Sequence, residues 1–123
     1  MATRNADSYS LPAIADCTGK EGAFGKQSGI GIIPCNTLGE RADCVLGNSP
    51  AIGAVADCLP DRGKILTVKI GAVPVAAGVE LTPDANGFAI TAVSTNVVRC
   101  KSVKAGAAGA FINAHWVDAY VKP

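Results

Sequence analysis

The chain has 123 residues, of which 49% are apolar, and a formal net charge of +1. This length fits a single domain, and the near-neutral charge argues against nucleic-acid binding, which needs clustered Lys and Arg. Fourteen glycines, seven prolines and few aromatic residues favour short strands joined by many turns. We therefore expect a small, mainly β protein.

Residues 1–29 are polar, rich in glycine and without hydrophobic periodicity. They show no basic head followed by an apolar core, so we expect no signal peptide and synthesis in the cytoplasm. Two interpretations are open: a flexible tail, or an extended N-terminal arm that lies on another subunit. We favour the arm, because isolated apolar residues recur through the segment. The candidate anchors for partner binding are Tyr9, Leu11, Ile14 and Phe24.

The character of the sequence changes after this arm, and we expect a β-rich domain over residues 30–123. A first short strand is predicted at 30–35 and another at 51–59, while 38–45 is ambiguous between a helical turn and a strand. No apolar run approaches the length of a membrane span, so we expect no membrane association.

The clearest pattern lies at residues 64–93. Apolar and polar residues alternate over 65–70, as in a strand with two unlike faces. A small-residue break at 76–78 precedes a second strand at 79–82. A Pro-Asp-Ala-Asn-Gly turn at 83–87 then leads into a third strand at 88–93, because Asn-Gly tolerates the positive φ of a hairpin return.

Further strands are predicted at 97–103 and 110–117. Short strands at spacings of roughly ten residues indicate a sandwich or a small barrel. The predicted fold is therefore mainly β, a small β-sandwich or partly open β-barrel with an extended N-terminal arm and at most one or two short helices.

The number of cysteines is unusual for a chain made in the cytoplasm, where disulfides are rare. Three cysteines follow the same dipeptide, in Ala-Asp-Cys at 15–17, 42–44 and 56–58, although the spacings do not form a repeat. Burial as small hydrophobic residues is one interpretation. Another is oxidation after release from the cell, within or between subunits, with Cys17 on the arm as the first candidate for an intersubunit bond. The candidate disulfide residues are Cys17, Cys35, Cys44, Cys58 and Cys100.

Candidates for catalysis are few. His115 is the only histidine, and its place in an alternating segment favours a strand face in the core or an interface over a Cys–His dyad. The cysteines lack the close paired spacing of structural zinc sites. We therefore expect no enzyme, no catalytic residue, no metal and no cofactor.

The C-terminal half carries the pattern V-x-A-G-x-x-L-T-x-D-x-x-G at residues 75–87, followed by Ala-Gly-Ala-Ala-Gly at 105–109. Over residues 64–120 it resembles the small phage capsid cement, or decoration, proteins. The resemblance implies a β-rich protein on the outside of a phage head, often a dimer or trimer. Its partners would be the major capsid protein and further copies of itself.

The leading hypothesis is a structural virion protein that binds the outer surface of a phage head and stabilises the capsid. It would be located on the capsid surface of the virion after synthesis in the host cytoplasm. The alternative is another structural or host-binding virion component, such as a head fibre base or tail part. A third class is a small redox or metal-binding protein that uses Cys and His. A tightly bound zinc ion or a reactive thiol would indicate this class.

Overall fold

The computed structural model describes residues 9–59 and 65–123, apart from the side chain of Tyr9. Their regular structure consists of β-strands, which confirms the predicted mainly β class. The bounds are β1 Tyr9–Pro12, β2 Phe24–Ser28, β3 Gly31–Pro34, β4 Cys44–Leu46, β5 Val55–Leu59, β6 Ile65–Lys69, β7 Glu80–Pro83, β8 Ala89–Thr91, β9 Val97–Ser102 and β10 Phe111–Val121. These residues include no helix long and apolar enough to cross a membrane.

The strands form two antiparallel sheets of five strands each. The first has the order β1-β5-β4-β2-β3, and the second has the order β6-β10-β9-β7-β8. If the strands of each sheet are counted in chain order, the two orders are identical. The protein thus consists of two consecutive units of one topology, which we call unit 1 (residues 9–59) and unit 2 (residues 65–121).

The units also share their strand register, at a spacing of 56 residues for the second, fourth and fifth strands of each unit and 57 residues for the first and third. Equivalent pairs, unit 1 before unit 2, are Gly25–Cys44 and Leu81–Cys100, Phe24–Val45 and Glu80–Lys101, Leu46–Cys58 and Ser102–Ala114, and Val45–Leu59 and Lys101–His115. Loop hydrogen bonds follow the same spacing. Gly22 N donates to Leu46 O at 2.8 Å, and Gly78 N donates to Ser102 O at 2.8 Å. The equivalence is carried by the backbone, because most of the paired side chains differ.

Each sheet curls until its two edge strands meet at one point. Ala13, directly after β1, forms a parallel bridge with Ile32 of β3, and Ile14 N donates to Ile32 O at 3.0 Å. The same bridge joins Ile70 to Ala89 in unit 2. Each unit therefore has the shape of a partly open barrel.

The larger hydrophobic core joins the units, because it combines nine buried residues of unit 2 with four of unit 1. Phe24 and Val45 of unit 1 are fully buried in one cluster with Leu81 and Trp116 of unit 2. Burial of side chains this large, at about 1.5–3 kcal/mol each, is the main force that holds the units together. A second cluster fills the interior of unit 1 and consists of Ala13, Cys17, Ile32, Cys44, Leu46, Ala56 and Cys58.

The segment after β10 covers one surface of unit 2. The equivalent surface of unit 1 is the one that contacts unit 2. Gly39 N of unit 1 donates to Pro83 O of unit 2 at 2.9 Å, whereas the equivalent amide of unit 2, Thr95 N, donates to Lys122 O at 2.9 Å. The ammonium group of Lys122 also pairs with the carboxylate of Glu80. The two units therefore differ in what occupies this surface.

Residues 9–28, which are part of the predicted extended arm, contain β1 and β2. The structure places both strands in the first sheet, β1 beside β5 and β2 between β4 and β3. Hydrophobic alternation does not reveal them, because Pro12 ends β1 and three of the five residues of β2 are polar. Residues 1–8 lie outside the described residues.

Two predicted elements are shorter than expected. The strand predicted at 51–59 begins at Val55, because residues 51–54 form a turn in which Ala54 N donates to Ala51 O at 3.0 Å. The ambiguous segment 38–45 is mostly irregular, and β4 begins at Cys44.

Candidate functional site: a thiol cluster and an apolar edge

Three of the five cysteines meet inside unit 1, and they are the three that follow Ala-Asp. Cys17, Cys44 and Cys58 are fully buried members of one cluster, which we call the thiol cluster. They come from the loop after β1, the start of β4 and the middle of β5.

The Ala-Asp-Cys triplets have a structural explanation. Asp16 and Asp57 are exposed and Asp43 is half-buried, while the cysteine after each is buried. In extended backbone, neighbouring side chains point to opposite faces, so an outward carboxylate is followed by an inward thiol. The repeated Ala-Asp-Cys triplet therefore marks three chain segments whose cysteines line the interior of unit 1.

Cys44 and Cys58 are diagonal neighbours on paired strands. Leu46 faces Cys58, and Cys44 lies two residues earlier on the same face of β4. The two thiols lie in the same cluster and influence each other. The interaction with Cys58, together with burial, raises the pKa of Cys44, and the interaction with Cys44 lowers the pKa of Cys58.

The remaining cysteines lie deep in the protein. Burial raises the pKa of Cys35 to about 12, and burial also raises the pKa of Cys100 far above its ordinary value. Cys17 is likewise buried, and both its burial and the charge of Asp16 raise its pKa. All five thiols are buried and unpaired, so none of them is at the surface where the predicted intersubunit bond would form.

His115 lies on the outward face of β10, opposite Lys101 and Ile65 on the neighbouring strands. It is exposed, whereas its neighbour Trp116 is buried opposite Cys100. The geometry does not bring His115 together with a thiol as a Cys–His dyad would require. Across 9–59 and 65–123, no group of three or more His, Cys, Asp or Glu side chains is arranged to hold a metal ion.

The candidate arm anchors have different positions. Phe24 is fully buried in the core between the units, and Leu11 is half-buried against the cluster inside unit 1. Ile14 is 43% exposed. The side chain of Tyr9 lies outside the described residues. Of the anchors whose side chains are described, Ile14 is thus the exposed one.

Ile14 belongs to an exposed apolar group that we call the isoleucine edge, with Ile30 and Ile52, which are 82% and 67% exposed. The three residues surround the point where β1 meets β3. A Cβ added to Gly31, the residue after Ile30, would collide with the side chain of Ile14. Gly53, which follows Ile52, donates its amide to the residue before Ile14. This group is not recognisable from the sequence, because Ile30 and Ile52 fall within predicted strands.

A cleft of about 290 Å³ lies between the units. Its lining combines polar and apolar surface in nearly equal parts, and its described residues include Leu59, Leu66, Phe111 and the ionisable Glu21. Binding pockets for small molecules usually combine an apolar lining with several convergent polar groups. Among the described lining residues, Glu21 and Thr67 are the polar side chains.

The fold thus defines a class of all-β proteins built from two tandem five-stranded units. No family model and no curated protein matches the sequence. The structure is similar to the crystal structure of the head fiber gp8.5 N base in bacteriophage phi29, with a TM-score of 0.64 and 17% sequence identity. The match covers 89% of this chain and 92% of that chain. At this identity the similarity shows a shared fold over nearly the whole of both chains.

Proposed function

We propose that this chain is a structural protein of a phage virion, attached to the outside of the head in the manner of a head fibre base. The observation that carries the proposal is the near-complete fold match to such a base. Fold alone does not determine function, so the surface of this chain supplies the second argument. The proposed partners are the major capsid protein and further copies of this chain, and the role requires no catalytic group or cofactor.

The isoleucine edge is the proposed attachment surface. The position equivalent to Ile14 in unit 2 is Gly71, since both donate an amide to the bridging residue of the partner edge strand. The side of unit 2 near Gly71 contacts unit 1, and Lys69 N donates there to Gly22 O at 2.9 Å. The corresponding side of unit 1 carries exposed isoleucines, which fit a surface that is buried against another protein.

The energies are sufficient for this role. Full burial of an isoleucine contributes about 1.5–3 kcal/mol, and several attached copies gain further through effective concentration. A contact without ionic anchors should also depend little on salt, since screening acts on charges.

The test is co-sedimentation of the purified full chain with phage heads that lack it. Replacing Ile14, Ile30 and Ile52 with Ser should reduce binding by at least tenfold. The matched control replaces Val73 and Val93, which are 64% and 59% exposed on unit 2, with Ser. It should bind like the unmodified chain. Equal loss in both variants would contradict the assigned surface, and absence of binding by the unmodified chain would contradict the proposed function.

A capsid cement protein is the second candidate, favoured by the turn pattern at residues 75–87 and 105–109 that it shares with that class. The two candidates differ in what attachment does to the head. A cement protein should raise the temperature at which heads release their DNA, and a fibre base should leave it unchanged. Sedimentation analysis of the purified chain would test the proposed dimer or trimer.

A further inference from the structure

We propose that Cys44 and Cys58 form a reversible disulfide within unit 1, so that oxidising conditions cross-link two strands of this barrel. The proposal rests on the geometry of the thiol cluster and is independent of the proposed function. Both residues are fully buried on the same face of paired strands, and Leu46 faces Cys58 directly.

The Cys44 thiol is fully buried and packs closely against the backbone of β2. Its partner in the ladder on the other side is Gly25, and a Cβ added to Gly25 would lie 3.2 Å from Cys44 Sγ. Disulfides require Cβ atoms about 3.8 Å apart, whereas diagonal neighbours are about 7 Å apart, and the difference lies mainly along the strand direction. Closure therefore requires Cys44 to move along β5 towards Cys58. β4 has three residues and follows an irregular segment, so Cys44 is the end that can move.

Unit 2 provides an internal comparison. The positions equivalent to Gly25, Cys44 and Cys58 are occupied by Leu81, Cys100 and Ala114. Cys100 thus has a leucine in place of the glycine and an alanine in place of the second thiol. The same backbone register carries a thiol pair in one unit and a single packed thiol in the other.

The oxidant in the proposed reaction is a small-molecule disulfide such as oxidised glutathione. The Cys58 thiolate attacks one sulfur of the oxidant, forms a mixed disulfide and releases one glutathione thiolate. The Cys44 thiol then loses its proton to water and attacks the Cys58 sulfur, which releases the second glutathione. The protein loses two hydrogen atoms and the oxidant becomes two thiols, so electrons and atoms balance.

Access to the pair requires opening of an edge. β5 pairs with β1, which is an edge strand of four residues. The residue of β1 opposite Cys58 is Tyr9. Separation of β1 from β5 would expose Cys58 without disrupting the core between the units. Oxidation should therefore be slow in the native protein and faster in urea below the unfolding transition.

The experiment treats the reduced full chain with excess oxidised glutathione in sub-denaturing urea until thiol loss is complete. Thiols are then counted after full unfolding, and the linked peptides are identified by mass spectrometry. We expect two of the five thiols to disappear, a single Cys44–Cys58 link without bound glutathione, and full recovery with dithiothreitol. Five remaining thiols, or a link from Cys17 to Cys58, would overturn the proposal.

Three matched variants complete the test. Cys44→Ala and Cys58→Ala should each lose no thiol pair and should instead retain a glutathione adduct or stay reduced. Cys17→Ala removes the third member of the cluster and should still lose two thiols. If Cys17→Ala abolishes the pairwise loss, Cys17 is a bonding partner and the assigned pair is incorrect.

Discussion

Gly39 and Thr95 occupy equivalent turns of the two units, and both have a φ of 77°. The turns share a backbone hydrogen bond, from Glu40 N to Thr37 O in unit 1 and from Asn96 N to Val93 O in unit 2. Glycine adopts this conformation readily, whereas a β-branched residue is strained in it. Thr95 thus bears a local strain that its counterpart avoids.

Replacing Thr95 with Gly should therefore stabilise the protein. Relief of the strain exceeds the additional backbone entropy that glycine loses on folding, and we expect a net gain of roughly 1 kcal/mol in the free energy of unfolding. Urea denaturation at neutral pH measures it. The reverse exchange, Gly39→Thr, should destabilise, because a Cβ there would also collide with the side-chain amide of Asn96. Loss of stability in Thr95→Gly would contradict the argument.

Glu40 supplies a pH-dependent contribution to stability. Its half-buried carboxylate accepts hydrogen bonds from Lys26 Nζ at 2.7 Å and from the amides of Asn36 and Thr37 at 2.7 and 2.8 Å. Burial alone would raise the pKa of Glu40, but these bonds outweigh it and lower the pKa. Stability from this group is therefore fully present above the ordinary pKa of a glutamate and is lost as the pH falls through the lower value of the folded state.

Glu40→Gln should reduce the free energy of unfolding by about 1 kcal/mol at pH 7, as for the loss of a capping carboxylate. The difference from the unmodified protein should shrink as the pH falls below about 4. Denaturant titrations across this pH range provide the measurement. Glu21→Gln, a charge change at an exposed loop position, is the control and should leave stability nearly unchanged. A difference that is constant with pH would refute the role of the charge.

Phe24 joins the units and should be the more costly of two phenylalanines to truncate. It is fully buried in the core between the units, while Phe111 is 52% exposed. Phe24→Ala should cost about 3–5 kcal/mol, and Phe111→Ala no more than about 1 kcal/mol. Thermal unfolding of both variants would compare them. Similar losses in the two would mean that the core between the units is not the main source of stability.

The native thiols should be nearly inert towards alkylation. All five are buried, and the pKa of Cys35 is raised to about 12. Since the thiolate is the reactive form, iodoacetamide at pH 8 should modify the reduced native chain on the order of 100-fold more slowly than the urea-unfolded chain. Mass spectrometry over time counts the modified sites. Rapid modification of any one cysteine in the native state would show that its burial is not maintained.

The sequence predicted the second half of the fold better than the first. Alternation and the Asn86-Gly87 turn indicated β6, β7 and β8 close to their observed positions. In unit 1, β2 reads Phe-Gly-Lys-Gln-Ser, and its place in the sheet depends on partners far along the chain. Local patterns cannot report such pairing, so these residues were assigned to an arm.

The repeat of two units was hidden for a related reason. Its period of 56 or 57 residues, depending on the strand, is carried by backbone register, and few side chains preserve it: Cys44 and Cys100, and the turn glycines Gly53 and Gly109, are examples. The Ala-Asp-Cys echo, which the sequence does show, lies within unit 1 and marks inward-facing segments rather than the period. The thiol cluster was therefore visible as a pattern, but its members could be brought together only by the fold.

The contact between Thr95 N and Lys122 O has a consequence for how the molecule is oriented. One end of the protein carries the isoleucine edge. At the other end, the segment after β10 covers the surface of unit 2 that is equivalent to the surface by which unit 1 contacts unit 2. The protein is consequently polar in the geometric sense, with a head and a tail that are not interchangeable. A partner that binds by apolar contact at the isoleucine edge would meet unit 1 first, and unit 2 would then point away from it.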